Sequence, residues 1–299
     1  MKSHQFTTLD GLRGVAAAAV VTRHATDYFS WGSQYIPSLK PGAPPVPVGP
    51  LFESYLAVDF FFVLSGFVLA HAYWRRLCSG MSAVEFICLR LIRLYPLYLI
   101  ALVFAIAAAC IEVVAGGRSV TSLVKNIIPA VLFLPAPALT VFGTLFPLNM
   151  PTWSLFFELV ANSGFGVIGK RIKPAMLAVF VCSVALILIS AVMTKTCGFG
   201  AKAGGALDYG TNWRSIGAGF LRVSFSFSAG ILVYWIWLFR RPQWSIPPAF
   251  LLVAFAIILA SAPVVEARIA FDLIAIIVVF PLLVLLGAVS APSRTGSPI

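Results

Sequence analysis

The sequence predicts an all-α, polytopic bundle of transmembrane helices, with about eight or nine spans plus one broken or re-entrant segment. Three observations predict it. Hydrophobic residues fill 60% of the 299 positions and charged residues only 10%, and the mean hydropathy of +0.98 lies far outside the range of soluble domains. The apolar residues are gathered in long runs, most of them able to cross about 30 Å of hydrocarbon. The charges fall mainly at the ends of those runs, where short loops belong.

The first run, 12–30, follows only a few polar residues and keeps Arg23, His24 and Asp27. That makes it a poor core for a cleaved signal peptide, so it is expected to stay. The second, 55–74, holds Asp59 and a small pair, Ser65-Gly66, that favours close helix approach. The third, 87–115, opens on Arg90 and Arg93. The region 123–148 is interrupted by Pro129, Pro135, Pro137 and Pro147, and non-helical backbone at membrane depth must be buried in protein or face water. Runs at 153–169, 174–194, 216–239, 247–263 and 268–290 complete the series.

The net charge of +11 does not indicate a nucleic-acid partner, because the basic residues are scattered along the chain rather than gathered on a polar domain. They read as topology. Lys2, Arg75-Arg76, Lys170-Arg171-Lys173 and Arg240-Arg241 take the cytoplasmic side by the positive-inside rule. The spans alternate consistently if 116–150 begins and ends outside, which also leaves Pro37 to Pro50 and 195–215 as outside loops. The five cysteines show no metal-ligand spacing and no even framework, so neither a metal site nor a disulfide scaffold is indicated. No nucleotide-binding glycine fingerprint is present, and Gly198 to Gly205 reads as a flexible loop.

The chemistry is expected from polar residues within the spans. Eleven helical steps separate Arg13 from His24, which places the two side chains within roughly 20° of each other and about 16 Å apart along the axis. Ionisable groups in a span are costly enough that function is the default reading, with the bundle interior or a wet cavity as their location. A neutral imidazole can take a proton from a hydroxyl at cellular pH, which makes His24 the candidate general base. Asp27 is spaced to orient its ring, or the two form a pair that only holds helices together. Arg23 points about 100° away and is expected to pair with another helix. Asp10 is either a helix N-cap or an i, i+3 partner of Arg13.

Asp59 needs a mate, for which Arg13, Arg23 and His24 are the candidates. Glu158, one turn below Ser154, is either functional or half of a structural ion pair. Arg90 and Arg93 place two guanidiniums on one face at the cytoplasmic boundary. Such forks suit phosphate oxygens, although interfacial anchoring by snorkelling arginines is the alternative. Arg75 and Arg76 approach the same boundary, so four cationic groups could meet an anionic cofactor there.

Four segments, in this order and spacing, resemble the acyltransferase 3 family of bacterial membrane O-acyltransferases. They are Leu9-Asp10-Gly11-Leu12-Arg13-Gly14 with His24 eleven places after Arg13; Ala57-Val58-Asp59-Phe60-Phe61-Phe62-Val63-Leu64-Ser65-Gly66-Phe67; Arg90-Leu91-Ile92-Arg93-Leu94-Tyr95-Pro96; and Trp153-Ser154-Leu155-Phe156-Phe157-Glu158. The resemblance implies a membrane domain over 5–290 followed by a polar tail, 291–299. It implies transfer of an acyl group, usually acetyl, from cytosolic acyl-CoA to a hydroxyl of a cell-surface or exported carbohydrate or lipid-linked glycan, in the bacterial inner membrane with a cytoplasmic N-terminus. Acyl-CoA is then a donor substrate, with no bound cofactor and no metal.

Carried over, the essential positions are Arg13, His24, Arg90 and Arg93, with Asp59, Ser65 and Glu158 as further motif positions. In that frame Arg90 and Arg93, with Arg75 and Arg76, hold the phosphates of coenzyme A, while His24 deprotonates the acceptor or carries the acyl group itself. Members of the family usually continue into a last span, whereas this chain ends on a polar, proline-containing stretch, which raises a truncated and inactive copy as one alternative. A transporter or flippase, with the same residues lining a proton or substrate path, is the other.

Overall fold

The structure is a computed structural model that describes residues 6–32, 51–137, 143–200, 207–240, 246–261 and 267–290, without the side chains of 26–32 and 52. Every regular element among them is helical: α1 (Thr7–Gly32), a 3-10 turn (Phe52–Leu56), α2 (Ala57–Cys78), α3 (Ala83–Val114), α4 (Val120–Val131), α5 (Thr152–Ile168), α6 (Pro174–Met193), α7 (Ile216–Arg240), α8 (Pro248–Ala260), α9 (Arg268–Ile274) and α10 (Phe280–Val289). A single π-helical turn, Ala275–Val279, joins α9 to α10 without a break. All eight apolar runs are therefore helices.

The expected eight or nine spans are supported only in part. Among the described residues, five segments are long and apolar enough to cross a membrane: Glu53–Cys78, Ala83–Val114, Pro174–Met193, Trp213–Arg240 and Arg268–Val289. Two of the remaining runs make short helices, α5 with 17 residues and α8 with 13, against about 20 for an upright span. Pro247 precedes α8 in a non-helical conformation, and Ser261 ends it with extended backbone. The proline-broken region also differs in detail, since Pro129 lies inside α4. The chain leaves the helix after Val131, and Phe133 takes a φ of 58°. The irregular backbone that follows is paired within the protein: Ala136 N–H donates to Leu145 O at 2.7 Å, Leu145 N–H to Thr211 O at 2.9 Å, and the Trp213 indole to Ala136 O at 2.9 Å.

The chain forms two compact units. The first comprises Met1–Val68, Lys202–Asp208 and Ala229–Ile299. In it α1 packs on α8, α10 and the 3-10 turn through the buried stripe Leu9, Leu12, Ala16 and Ala19, the i+3, i+4 repeat of a helix with one inward face. Phe60, Phe255 and Phe280 form an aromatic centre, with Phe60 and Phe255 ring centroids 4.4 Å apart. The turn of α2 that holds Ser65-Gly66 meets α7 at Gly230, where an added Cβ would lie 2.0 Å from Val63 O. The small pair and this glycine together allow the near-contact of two backbones that the sequence suggested.

The second unit comprises Leu69–Ala201 and Tyr209–Ser228. Ser82 caps α3 by accepting the Glu85 N–H at 3.0 Å, a Ser-x-x-Glu start. Helix α3 then packs on α4 and α5. Phe86 fits against Gly166 of α5, where a Cβ would come within 2.7 Å of its ring. The C-terminal carbonyls of α4 are held by two α3 hydroxyls, Tyr98 to Ala130 O at 2.5 Å and Tyr95 to Val131 O. These contacts fix the register of α3, and with it the height of Arg90.

Candidate active-site residues

In the first unit α1 is one unbroken helix through both Arg13 and His24, so the shared face follows from its geometry. The buried stripe runs down another side. His24 is exposed and Arg13 is 43% exposed, so neither side chain is packed within the unit. Asp10 lies inside α1, so it is not the N-cap; it takes the other expected role and pairs with Arg13 at 3.3 Å. Arg23 turns inward, but its partner is not the other helix expected: it lies 4.0 Å from Asp208, in non-helical backbone, with its guanidinium 5.8 Å from the centre of the Tyr55 ring. Asp59 is fully buried in α2. The Asp27 side chain, and with it the expected contact to His24, lies outside the described residues.

In the second unit Arg90 and Glu158 meet across α3 and α5. Arg90 Nη2 donates to Glu158 Oε1 at 3.2 Å, with side chains 7% and 17% exposed. Of the two readings of Glu158, the ion pair is thus present. The pair also separates two arginines that spacing had treated alike, because Arg93, three residues on, stays exposed. Arg75 and Arg76 lie exposed in the last turn of α2, with the Arg76 guanidinium 5.3 Å from the centre of the Tyr73 ring. Tyr73 in turn meets Phe86 edge-on at 5.1 Å, one turn before Arg90. Asn162, a turn beyond Glu158 on α5, is fully buried, and neither of its amide atoms finds a hydrogen-bond partner among the described residues.

Two further groups had gone unread. Arg222 of α7 is fully buried, donating to Tyr209 O and lying 5.6 Å from the Trp153 ring centre. Glu53, Tyr55, Arg268 and Asp272 form a buried cluster in the first unit, in which Arg268 Nε is 3.0 Å from Glu53 Oε1 and the Tyr55 hydroxyl donates to Asp272 Oδ2 at 2.5 Å. Both left a signal. Arg222 is a lone cation inside an apolar run, and Arg268 and Asp272 are opposite charges one helical turn apart in another.

A profile for the acyltransferase domain matches residues 6–297. The chain belongs to the acyltransferase 3 family. A curated relative, "Protein 2 in picA locus" of Rhizobium radiobacter, is 41% identical over 203 residues, covering 62% of this chain and 95% of that protein. No solved structure matches. With five helices among the described residues long and apolar enough to cross a bilayer, this acyltransferase 3 protein is a membrane acyltransferase.

Proposed function

We propose that this protein is an O-acyltransferase of the bacterial inner membrane that moves an acetyl group from cytosolic acetyl-CoA to a hydroxyl of a cell-surface or exported carbohydrate. The observation that carries the reading is His24, an exposed imidazole on the face that Arg13 shares, about a quarter-turn from the buried stripe of the same helix. His24 takes the acceptor's hydroxyl proton as the oxygen attacks the thioester carbonyl. The C–O bond forms, the C–S bond breaks, and the imidazolium returns the proton to the departing sulfur. Products are the ester and the free coenzyme A thiol. Arg75 and Arg76, exposed in the last turn of α2, Arg93, exposed on α3, and Arg90, braced by Glu158, hold the phosphates of the donor by charge and by guanidinium forks. Arg13 steadies charge along the His24 face.

Labelled acetyl from acetyl-CoA, followed into the carbohydrate fraction of membranes carrying the chain, tests the reading. General-base help is worth about 10²- to 10⁴-fold, so membranes with His24→Ala are expected to lose transfer by that factor. Transfer near the native level from His24→Ala would refute the role of His24. Label in neither sample, with several donors and native acceptor membranes supplied, would favour the transporter reading.

A further inference from the structure

The buried stripe of α1 does not end on an apolar residue. Leu9, Leu12, Ala16 and Ala19 continue, four residues on, to Arg23, whose side chain is only 16% exposed. Its two ends grip differently. Leucines hold the first turns, whereas Ala16 and Ala19 bury little area and give the middle of α1 weak apolar purchase. Among the described side chains, the contact at residue 23 is ionic. The Arg23 guanidinium lies 4.0 Å from Asp208 and over the Tyr55 ring. The Tyr55 hydroxyl donates to Asp272 Oδ2, which also accepts the Leu207 N–H at 2.8 Å. Leu207 adjoins Asp208, so the contacts close a circuit: Arg23, Tyr55, Asp272, Leu207, Asp208 and back.

A second pair keys that circuit into the same elements, since Glu53 and Arg268 meet at 3.0 Å, two residues before Tyr55 and one turn before Asp272. Burying Glu53, Arg268 and Asp272 in an apolar bundle, with Arg23 and Asp208 half-buried beside them, is costly, and nothing in the transfer chemistry uses them directly. His24 is the next residue after Arg23. We propose that Arg23, Tyr55 and Asp272 are positioning residues for His24, a buried ionic brace that sets the rotation of α1 at the turn carrying the imidazole. The proposal rests on the catalytic reading of His24. Misplacing a reacting group by about 1 Å can cost 10²-fold, so the brace acts on turnover while leaving donor binding alone.

The test compares the purified full chain with Tyr55→Phe, which keeps the ring beneath Arg23 but removes the bond to Asp272, and with Arg23→Ala and Arg23→Lys. Two readouts are taken: hydrogen exchange along α1, and kcat and KM for acetyl-CoA per mole of monodisperse protein. Faster exchange confined to the turns around residues 20–25, with kcat down roughly 10- to 100-fold at unchanged KM and part of it restored in Arg23→Lys relative to Arg23→Ala, is the expected result. Unchanged exchange in Tyr55→Phe and Arg23→Ala overturns the brace, and this arm reads out whatever acceptor is present. Faster exchange with unchanged kcat overturns the positioning role. Loss of transfer in His24→Ala alone refutes the brace and spares the reading of His24, whereas retention of transfer in His24→Ala refutes that reading and leaves the exchange arm to judge the brace.

Discussion

Removing the Glu158 carboxylate would leave the Arg90 guanidinium buried without its counter-charge. At 3.2 Å, with the two side chains 7% and 17% exposed, the pair is too enclosed for water to replace the lost oxygen. Breaking a buried pair by deleting one member costs about 3–5 kcal/mol. With a shift of roughly 2–4 °C per kcal/mol for domains of 150–250 residues, the melting temperature of Glu158→Ala in detergent should fall by about 6–20 °C. Fluorescence-detected size exclusion after stepwise heating reads that number. The double variant Arg90→Met/Glu158→Leu removes both charges and keeps the volume, and should melt at or above the native temperature, since such replacements are neutral or stabilising by about 1–4 kcal/mol. Transfer measured on the same samples separates structure from chemistry: the double variant is expected to be stable and inactive. A Glu158→Ala melting temperature within about 2 °C of native would show that the pair carries no such weight, and the reasoning would fail.

Gly230→Ala drives a Cβ to within 2.0 Å of Val63 O and should abolish monodisperse expression or lower the melting temperature sharply, whereas Gly14→Ala, with open space around it inside α1, should be neutral or gain about 0.5–1 kcal/mol. Tyr98→Phe removes the hydroxyl that holds Ala130 O at 2.5 Å and should cost about 1 kcal/mol, read as a small loss of thermal stability. Asn162→Leu discards an amide whose atoms are buried without partners among the described residues, so the protein should become more stable by about 1–3 kcal/mol. A fall in transfer alongside that gain would mark Asn162 as a group kept for substrate.

The helices were legible because an apolar run in a lipid-facing chain has few other options, and α2, α3, α6 and α7 follow their runs closely. Residues spaced along one helix were legible for the same reason, as Arg13 with Asp10 and Arg13 with His24 show. Contacts between elements distant in sequence were not. Arg90 and Arg93 looked equivalent because their spacing on α3 is symmetric, and only the approach of α5 separates them. Glu53 and Tyr55 sat beside a proline-rich stretch that hid their burial, and their partners Arg268 and Asp272 lie more than two hundred positions away. Hydropathy measures composition along a run, whereas proline and capping residues decide how much of it is helix, as the 13 residues of α8 show.

The π turn at Ala275–Val279 has a consequence for how the last helix faces its unit. Arg268, Asp272, Ile276, Phe280, Val284 and Ala288 are all buried, and they recur every four residues. In an ideal α-helix each step of four overshoots a full turn by about 40°, which over these five steps would carry Ala288 about 200° around the axis from Arg268. One wide i→i+5 turn winds fewer degrees per residue and takes back part of that drift. The turn works as a phase corrector: it lets a charged face that holds Glu53 and Tyr55 and an apolar face that holds α1 belong to one continuous stripe. Deleting a single residue within it would restore regular winding and force the molecule to choose which of its two ends to keep in register.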